Sequence, residues 1–498
     1  MPPELLLPEE MARADRIAAA YHGRGSFELM LRAGSAVTGH LLRARAGTIA
    51  FDVLCGPGNN GGDGYVVAAQ LAEAGARVRL WREGAPKAGS DAAQAAAMWT
   101  GEASPLSEFR PRAGHIVVDA LYGAGLSRGL EGAAAGAAEA CSAQGARVVA
   151  IDLPSGISGA SGQHAGPAFR AELTITFFRR KPGHLLLPGR TLCGEIAVAD
   201  IGIPEAVIAE IAPTAFENLP EVWHADLPVP SIDAHKYQRG HVAVFSGGPS
   251  STGAARLSAA GAARAGAGAL TVLSPSSAML VNATHLTSSM LARADNADEA
   301  LQFIRERRVA SVVLGPGFGV GELARDMVLA VLAHKDVALV LDADGITSFR
   351  DQPQNLFDAA ARSGSPLVIT PHEGEFVRLF PDLAGDTGLS KLDRARHAAK
   401  RTDAVIVYKG PDTVIAAPDG RAAINTNGVP WLATAGSGDV LAGIIAGLLA
   451  QRMPAWQAAC AAVWIHGEAG RRFGPGLIAE DLPGLLPEIL SEIFSSTY

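Results

Sequence analysis

The first half of the chain contains a glycine-rich segment that could bind a nucleotide. Residues 56–64 (GPGNNGGDG) follow an apolar run, precede an Ala-rich one and satisfy the G-x-G-x-x-G pattern of dinucleotide-binding loops. Glu83 lies about 20 residues further on, where such loops have an acid for the ribose. Asn59, Asn60 and Asp63, however, put oxygen-bearing side chains where a pyrophosphate needs bare N–H groups. A hydride-transferring dehydrogenase is one alternative, and a glycine turn without a ligand is another.

Two further segments place polar residues directly after predicted strands. They are residues 118–129 (VDALYGAGLSRG) and residues 150–156 (AIDLPSG). Because ligands bind beyond the carboxyl ends of strands in an open α/β sheet, we expect both segments to converge around Asn60. The oxygen donors of Asn60, Asp119 and Ser155 favour a hard cation over zinc or copper. Alternatively, Asp119 and Asp152 only cap the turns that follow them.

The second half of the chain contains a candidate anion site. Residues 425–443 (NTNGVPWLATAGSGDVLAG) run directly into an apolar helix. Gly436, Ser437 and Gly438 put free N–H groups at the start of that helix, where the helix dipole favours an anion. Asp439 follows, and a carboxylate there suits deprotonating or orienting a hydroxyl that attacks phosphate or leaves with it. The alternative is a capped helix start without a ligand.

The segments of the first half resemble the NAD(P)H-hydrate epimerases, whose motifs G-x-G-N-N-G-G-D-G, V-D-A-x-x-G-x-G-L and D-x-P-S-G occur here in order within residues 1 to about 225. That family interconverts the R and S epimers at the hydrated C6 of the nicotinamide ring, NAD(P)HX. The resemblance implies that Asp152 lies at the reacting centre and that Asn60, Asp119 and Ser155 hold a potassium ion. The implied substrate contacts are Asn59, Asn60, Gly61, Gly62, Asp63, Gly123, Ala124, Gly125, Leu126, Ser127, Arg128, Gly129 and Asp152. A carboxylate can move the proton needed to release and re-add a hydroxyl beside a ring nitrogen, but the sequence leaves open whether Asp152 is acid, base or both.

The second-half segment resembles the T-A-G-S-G-D-x-L-A-G motif of the ribokinase-like superfamily. Three more segments complete the pattern of the ADP-dependent NAD(P)H-hydrate dehydratases from about His235 onward: residues 314–317 (LGPG), 369–375 (ITPHEGE) and 409–415 (KGPDTVI). The resemblance implies that the hydrated nicotinamide contacts Ala254, Gly317, His372 and Asp439. It implies that ADP contacts Lys409, Gly410, Pro411, Asp412, Thr413 and Gly438.

The same resemblance implies the reaction. Hydroxide leaves poorly, so coupling its loss from C6 to cleavage of a nucleotide phosphate converts it into a better leaving group. The implied products are AMP, phosphate and NAD(P)H, with Asp439 as the catalytic carboxylate and the N–H groups of residues 436–438 receiving the transferred group. Magnesium is compatible with the nucleotide phosphates, although no ligand set in the sequence identifies it.

One segment departs from the dehydratase pattern. Residues 247–255 (GGPSSTGAA) match the family's glycine segment, but Ser251 or Thr252 stands where many members have Tyr. The segment therefore lacks the tyrosine ring on which a ligand could stack, and Ala254 remains the candidate substrate contact. Two other functions fit parts of the chain: a small-molecule kinase on the ribokinase-like fold, and a non-catalytic NAD-binding or RNA-associated module in the first half.

Short apolar runs alternate with Ala-rich stretches along the chain, which is typical of βαβ units and a parallel sheet. These strands and helices must position the residues described above. Strands are predicted at residues 48–55, 77–82, 115–121, 146–153, 173–178 and 194–200, and again at 241–246, 269–273, 310–314, 337–342, 367–370 and 405–408. Helices are predicted at 8–20, 26–42, 65–74 and 132–143. A Pro-rich stretch ending near residue 236 separates the two series. We therefore predict an α/β fold, in which an N-terminal Rossmann-like three-layer sandwich (residues 1–225) precedes a ribokinase-like α/β domain (residues 226–498).

The composition of the chain argues against several other classes of function. The 498 residues include 42 Lys and Arg against 50 Asp and Glu, and the net charge of −8 argues against a nucleic-acid partner. The sequence has no apolar run of about 18 residues and no basic leader with a cleavage site, so neither a membrane partner nor secretion is indicated. We expect a cytoplasmic enzyme that forms a homo-oligomer and takes NAD(P)HX epimers and ADP as ligands. The 57 glycines, densest in the segments above, are the most unusual feature of the composition.

Overall fold

The computed structural model describes residues 2–22, 25–44, 50–126, 128–233 and 235–495 of the chain. The chain divides into two compact units, residues 1–215 and residues 216–498. Strands alternate with helices in both units, since β-branched runs favour strands and Ala-rich stretches favour helices. The predicted α/β class is confirmed.

The first unit begins with two helices and continues as a series of strands and helices. Its strands are β1 (Glu4–Leu5), β2 (Ala50–Cys55), β3 (Arg77–Arg82), β4 (Ala103–Pro105), β5 (Ile116–Ala120), β6 (Arg147–Ile151), β7 (Leu173–Phe177) and β8 (Glu195–Ala199). Its helices are α1 (Pro8–His22), α2 (Ser26–Ala44), α3 (Asn59–Glu73), α4 (Asp91–Ala96), α5 (Gly132–Ala143), α6 (Gly189–Leu192) and α7 (Ala206–Ile211).

The main sheet of the first unit has the order β4-β3-β2-β5-β6-β7-β8, and neighbouring strands are parallel. The chain runs outward from β2 to β4 and then returns to form β5 on the other side of β2. The strand order therefore reverses between β2 and β5, where a crevice opens at the carboxyl ends of the strands. The glycine segment after β2 and the polar segment after β5 both begin at this point.

Helices cover both faces of this sheet. Phe51 and Val53 of β2 pack with α2 and α3 in one apolar cluster, whereas Leu54 packs with α5 in a second one. The alternation follows from the period of two in a β-strand, which directs successive side chains to opposite faces. The result is the predicted arrangement of helix, sheet and helix layers.

Helix α3 begins earlier than the sequence indicates. The predicted helix starts at Tyr65, but the observed one starts at Asn59 and includes the glycines of the segment. Glycine weakens a helix, which is why the pattern indicates a loop there. Close packing outweighs that cost: a Cβ on Gly61 would lie 1.8 Å from the carbonyl oxygen of Gly56. The backbone can fold back on itself only because residue 61 has no side chain.

The second unit has more elements. Its strands are β9 (Ala215–Glu217), β10 (His241–Phe245), β11 (Ala269–Ser274), β12 (Met290–Arg293), β13 (Ser311–Leu314), β14 (Ala338–Leu341), β15 (Leu367–Ile369), β16 (Val405–Tyr408), β17 (Val414–Ala416) and β18 (Ala422–Ile424). Its helices are α8 (Thr252–Arg264), α9 (Met279–His285), α10 (Ala297–Glu306), α11 (Glu322–Leu332), α12 (Asp344–Thr347), α13 (Pro353–Ser363), α14 (Glu373–Leu379), α15 (Pro381–Gly385), α16 (Lys391–Thr402), α17 (Ser437–Ala450), α18 (Ala455–Phe473) and α19 (Leu482–Ser495).

The sheet of the second unit also reverses its strand order. Within the unit the order is β9-β18-β17-β16-β15-β14-β13-β10-β11-β12. The strands from β10 to β16 pair in parallel with one another, and β17 is antiparallel to both β16 and β18. The reversal falls between β10 and β13, which places the crevice at the carboxyl ends of these two strands. Helix α17 lies in an apolar cluster together with side chains of β10, β13 and β16. Among the described residues, no helix is both long enough and apolar enough to cross a membrane.

Candidate active sites

A cavity of about 490 Å³ opens at the carboxyl end of the first unit's sheet, between the start of α3 and the segments that follow β5 and β6. Most of the predicted epimerase contacts line it, namely Asn59, Asn60, Asp63, Gly123, Ala124, Gly125, Leu126, Arg128 and Asp152. Gly61 and Gly62 are instead buried within α3, and Gly129 packs against the backbone of Ala165. Ser127 lies outside the described residues.

The carboxylate of Asp152 is held from three sides. Its Oδ1 accepts hydrogen bonds from the Nζ of Lys181 at 2.7 Å and from the hydroxyl of Thr176 at 2.9 Å. Its Oδ2 accepts a hydrogen bond from the backbone N–H of Ala124 at 2.9 Å. Burial alone would raise the pKa of Asp152, but the Lys181 ammonium and the hydrogen bonds outweigh it and lower the pKa to about 2. Asp152 is therefore ionised at every physiological pH.

The backbone of Asp152 is also unusual. Its φ of 65° lies in the left-handed region, which costs a residue other than glycine roughly 1–2 kcal/mol. His184 stabilises this conformation, because its Nε2 donates to the carbonyl oxygen of Asp152 at 2.7 Å while its Nδ1 accepts from the N–H of Lys181. Burial lowers the pKa of His184 to about 4, with the Lys181 ammonium adding to the effect, so the ring is neutral. The strain points the carboxylate of Asp152 into the cavity.

Asn60 lies beside Asp152, as the sequence suggests. A Cβ on Gly123 would lie 2.8 Å from Oδ2 of Asp152 and 3.3 Å from Oδ1 of Asn60, so both side chains approach the same backbone position. The Nδ2 of Asn60 is buried without a hydrogen-bond partner among the described residues. A buried amide edge without a partner is costly, which indicates that a ligand completes this site.

Asp119 and Ser155 lie behind the cavity and bind each other. The carboxylate of Asp119 accepts hydrogen bonds from the N–H of Ser155 at 2.7 Å and from its hydroxyl at 2.6 Å. Burial nevertheless raises the pKa of Asp119 to about 6, and no basic side chain offsets it. This buried carboxyl therefore has hydrogen bonds but no counter-charge among the described residues.

In the second unit, a lysine faces the start of helix α17. The Nζ of Lys409 donates to Oδ1 of Asp342 at 2.7 Å, and it lies 4.0 Å from Oε2 of Glu375. A Cβ on Gly438 would lie 3.5 Å from this Nζ, so the ammonium sits next to the first turn of α17. Burial would lower the pKa of Lys409, but Asp342 and Glu375 raise it, and the group stays charged.

Asp439 lies in the first turn of α17, where the sequence predicts it. The N-cap of this helix, Gly436, has φ 89° and ψ −13°, a left-handed conformation that suits glycine. A Cβ there would lie 3.9 Å from Oδ2 of Asp439, so the carboxylate turns back over the helix start. Burial, together with the charges of Asp342 and Asp344, raises the pKa of Asp439 to about 6 despite Lys409. Asp439 is thus a base that titrates close to neutral pH.

His372 caps helix α14. Its Nδ1 accepts a hydrogen bond from the N–H of Gly374 at 2.9 Å, and Glu375 returns a bond to the N–H of His372 at 2.9 Å. The capping box gives this histidine a structural role besides the substrate contact that the resemblance implies. More than half of the imidazole is exposed, at 55%, and its Nε2 lies 3.4 Å from Oε1 of Glu375.

The predicted ADP segment forms a tight turn. The hydroxyl of Thr413 donates to the carbonyl oxygen of Gly410 at 2.7 Å and accepts from its N–H at 3.1 Å. Asp412 is buried and pairs with the Nζ of Lys391 on α16 at 2.6 Å. Lys391 thereby reaches residue 410, where a Cβ would lie 2.5 Å from its Nζ.

Two predicted contacts of the hydrated nicotinamide come together. A Cβ on Gly317 would lie 3.2 Å from the Cβ of Ala254 and 2.9 Å from the carbonyl oxygen of Ser251. Gly317 follows β13 and Ala254 follows β10, so both lie at the reversal of strand order. The short side chain of Ser251 leaves this wall without an aromatic surface.

Several residues of both sites escaped the sequence reasoning. In the first unit these are Thr176, Lys181 and His184, and in the second Asp342, Glu375 and Lys391. Only Glu375 lies in one of the motif segments, residues 369–375. It caps α14, and its buried side chain lies near Lys409. For Asp342 a signal existed, since it is the last residue of a predicted buried strand, residues 337–342.

Each unit thus has carboxylates at the point where the strand order of a parallel sheet reverses, and these features define a two-domain α/β enzyme. Comparison with known proteins identifies its family. Residues 26–183 match the family model described as YjeF-related protein N-terminus, and residues 242–493 match the one described as NAD(P)H-hydrate dehydratase. The chain belongs to the bifunctional NAD(P)H-hydrate repair enzymes.

Relatives of this family match over almost the whole chain. The bifunctional NAD(P)H-hydrate repair enzyme of Moorella thermoacetica is 33% identical, covering 98% of this chain and 97% of its own length. The corresponding enzyme of Thermofilum pendens is 34% identical, covering 97% and 95%, and that of Escherichia coli K12 is 31% identical, covering 97% and 93%. This family membership decides against the dehydrogenase, kinase and non-catalytic alternatives.

Among solved structures, the ADP/ATP-dependent NAD(P)H-hydrate dehydratase of Bacillus subtilis, co-crystallized with ATP/Mg2+, is similar to part of this chain. It is 28% identical with a TM-score of 0.49, and the match covers 56% of this chain and 98% of that one. A ribokinase-like superfamily protein of Enterococcus faecalis matches with a TM-score of 0.48 at 24% identity, covering 56% and 95%.

Proposed function

We propose that the first unit interconverts the R and S epimers of NAD(P)HX, and that the second unit dehydrates the S epimer to NAD(P)H while ADP is cleaved to AMP and phosphate. The observation that carries this division is the pair of carboxylates with opposite environments, Asp152 in the first unit and Asp439 in the second. Each lies within a region that matches one of the two family models.

In the first unit, Asp152 acts on the hydroxyl at C6. The lone pair of the adjacent ring nitrogen expels this hydroxyl, and a water then adds to the opposite face of C6. Asp152 is ionised, so it accepts the proton of the incoming water. Lys181 keeps the carboxylate ionised, and Ala124 and Thr176 fix its direction. These contacts favour the role of base over that of acid for Asp152.

A potassium ion fits beside this site. Asn60, Asp119 and Ser155 offer oxygen donors, which suit a hard cation. The Oδ1 of Asn60 would face the ion, whereas its unpartnered Nδ2 suits an acceptor group of the substrate, and the buried Asp119 has no counter-charge among the described residues. A bound cation would supply the positive charge that balances Asp119. Potassium dependence of epimerisation is therefore expected.

In the second unit, one set of residues binds the nucleotide and another set contacts the hydrated ring. Residues 409–413 and Gly438 bind ADP, with Lys391 reaching the same turn. Ala254, Gly317 and the exposed imidazole of His372 contact the nicotinamide. Asp439 accepts the proton of the C6 hydroxyl as its oxygen attacks the terminal phosphorus of ADP. The N–H groups at the start of α17 and the Lys409 ammonium stabilise the transferred phosphoryl group, which then leaves from C6 as phosphate.

Magnesium would enter with the nucleotide. The described residues contain no group of three or more His, Cys, Asp or Glu side chains arranged to hold a metal. Magnesium commonly binds through substrate phosphates and one or two carboxylates, which agrees with that finding. A cytoplasmic location and a homo-oligomeric state stay predictions from the sequence.

The direct test supplies purified full-length protein with potassium, ADP and each NADHX epimer in turn, and follows the absorbance of NADH. We expect NADH from the S epimer only when ADP is present, and NADH from the R epimer at a rate above that of uncatalysed epimerisation. If neither epimer is consumed, the proposed function is wrong. If a hydroxymethyl compound is instead phosphorylated by ATP in preference, a kinase function would replace it.

A further inference from the structure

A second carboxyl group faces the epimerase cavity from helix α1. Asp15 lines the cavity that Asp63, Asp152 and Lys181 also line, although the glycine motifs give no indication of it. Helix α1 precedes every motif of the first unit, whereas Asp152 follows β6. The cavity therefore holds carboxyl groups supplied by separate elements.

The carboxyl groups of Asp15 and Asp152 differ in their partners. Asp152 accepts hydrogen bonds from Lys181, Thr176 and Ala124. Asp15 has no hydrogen-bond or ion-pair partner among the described residues, and neither has Asp63. Because a buried or half-buried polar group without a partner is costly, a carboxyl group left free in a cavity is available to a ligand.

The surroundings of Asp15 favour its protonated form. Burial raises the pKa of Asp15 to about 6; Lys181 opposes this rise and the negative charge of Asp152 adds to it. Burial raises the pKa of Asp63 as well, and Asp152 and Asp15 reinforce that effect. The charged groups that face Asp15 or line the cavity with it are Arg16, Asp63, Asp91, Arg128, Asp152 and Lys181. Asp15 can thus carry a proton under conditions in which Asp152 carries none.

We propose that Asp15 is the general acid of epimerisation and donates its proton to the hydroxyl that leaves C6. This inference rests on the proposed function of the first unit. The C6–O bond breaks, the proton of Asp15 joins the departing oxygen to form water, and the ring nitrogen forms a double bond to C6. Water then attacks the opposite face of C6 and gives its proton to Asp152. One proton has moved from Asp15 to Asp152, and exchange with solvent restores both groups.

Asp152 alone cannot supply the proton that the departing hydroxyl requires. Hydroxide is a poor leaving group, so its departure requires a proton donor. Lys181 and the hydrogen bonds hold Asp152 in its ionised form, in which it can accept a proton but has none to give. A pair of groups whose environments separate their protonation states is the usual arrangement for acid and base catalysis in one site.

The test compares Asp15→Asn with Glu9→Gln, a matched exchange at an exposed carboxylate on the same helix. With full-length enzyme and potassium, we expect Asp15→Asn to lower kcat for epimerisation by about 100-fold or more with little change in KM, since general acids contribute about that much. Glu9→Gln should retain the wild-type rate. NADH formation from pure S epimer and ADP should be unchanged in both variants, which verifies that the second unit is intact, and an unchanged Tm should verify that the first unit is folded as well.

The pH profile provides the second readout. Wild-type epimerisation, corrected for the uncatalysed rate, should decline as pH rises above about 6 because Asp15 loses its proton. That limb should be absent in Asp15→Asn and present again in Asp15→Glu. An Asp15→Asn enzyme with wild-type kcat and the same limb overturns the proposal, as does an equal loss in Glu9→Gln. Absence of epimerisation in the wild type would instead refute the proposed function itself.

Discussion

Asp152 and Asp439 are both carboxylates in sheltered positions, yet their surroundings shift their pKa values in opposite directions. The Lys181 ammonium and the hydrogen bonds from Ala124 and Lys181 lower the pKa of Asp152 to about 2. Burial and neighbouring Asp342 raise the pKa of Asp439 to about 6. The two residues therefore respond to pH and to loss of their neighbours in different ways, and single substitutions can separate them.

Lys181→Met should disable epimerisation, because Asp152 would then be protonated at neutral pH. Without the ammonium, burial dominates and the pKa of Asp152 rises, so its base form is depleted at neutral pH. We expect kcat for epimerisation to fall and the pH profile to gain a limb in which activity increases with pH. Wild-type enzyme should lack that limb above about pH 4, since its Asp152 is ionised there.

Lys181→Arg is the matched control, because it keeps the positive charge beside Asp152 while changing the shape of the group. It should show no new limb, whatever its rate. If Lys181→Met retains the wild-type profile, Lys181 does not control the ionisation of Asp152.

Dehydration should depend on pH through Asp439. The raised pKa means that the carboxylate is protonated below about pH 6 and ionised above it. The rate of NADH formation from S epimer at saturating ADP should therefore increase with pH through about 6 and then level off. Asp439→Asn should lower this rate by about 100-fold or more and remove the dependence. An unchanged limb in Asp439→Asn would assign the titration to another group, and epimerisation in the same variant serves as the control.

At the scale of elements, the start of helix α17 leaves no room for a side chain at Gly436. Gly436 adopts a left-handed conformation, and a Cβ there would lie 2.6 Å from Cδ1 of Leu257 and 2.9 Å from the Cβ of Ala479. Both the conformation and the packing exclude a side chain. The N–H groups of the following turn can point toward a phosphate only while this start is preserved.

Gly436→Ala should therefore lower the free energy of unfolding by more than backbone strain alone would. Gly364, with φ 65° and ψ 3°, is the matched control, because a Cβ at that position would contact nothing within 4 Å. Gly364→Ala should destabilise the protein by about 1 kcal/mol and leave dehydration intact. Gly436→Ala should lower the Tm further and slow dehydration, as measured by thermal unfolding and by kcat/KM for the S epimer. Equal effects of the two substitutions would contradict the role given to the start of α17.

The strands could be predicted from the sequence nearly to the residue, because their β-branched runs are short and bounded by polar turns. The run 77–82 is observed unchanged as β3, and 173–178 is shortened by one residue in β7. Strands β1, β4, β9, β12, β17 and β18 were missed, since strands of two to four residues give little periodic signal. The start of α3 was placed too late because propensity, rather than packing, guided that prediction.

The candidate sites could be predicted only where motifs mark them. Asp152 and Asp439 lie within glycine-rich segments, so their sequence context indicates them. Lys181 is separated from Asp152 by 29 positions, and only the parallel pairing of β6 and β7 brings the two together. Asp15 is still more distant and lies on a helix that carries no motif. Contacts of this kind depend on the tertiary fold, which the pattern of a single sequence does not specify.

At the scale of the whole molecule, the chain joins two units that each have their own sheet, core and candidate site. Fusion suits an enzyme whose second reaction accepts one epimer, because the first reaction supplies that epimer from the other. The two units must therefore catalyse separable steps, and repair of the S epimer must not require the epimerisation step.

The most direct test measures NADH formation from pure R and pure S epimers, with ADP and potassium, in wild-type, Asp152→Ala and Asp439→Ala enzymes. The account predicts that Asp439→Ala yields no NADH from either epimer. It predicts that Asp152→Ala repairs the S epimer at the wild-type rate but repairs the R epimer only as fast as that epimer converts without catalysis. Equal impairment of both epimers in Asp152→Ala would contradict the division of labour between the two units.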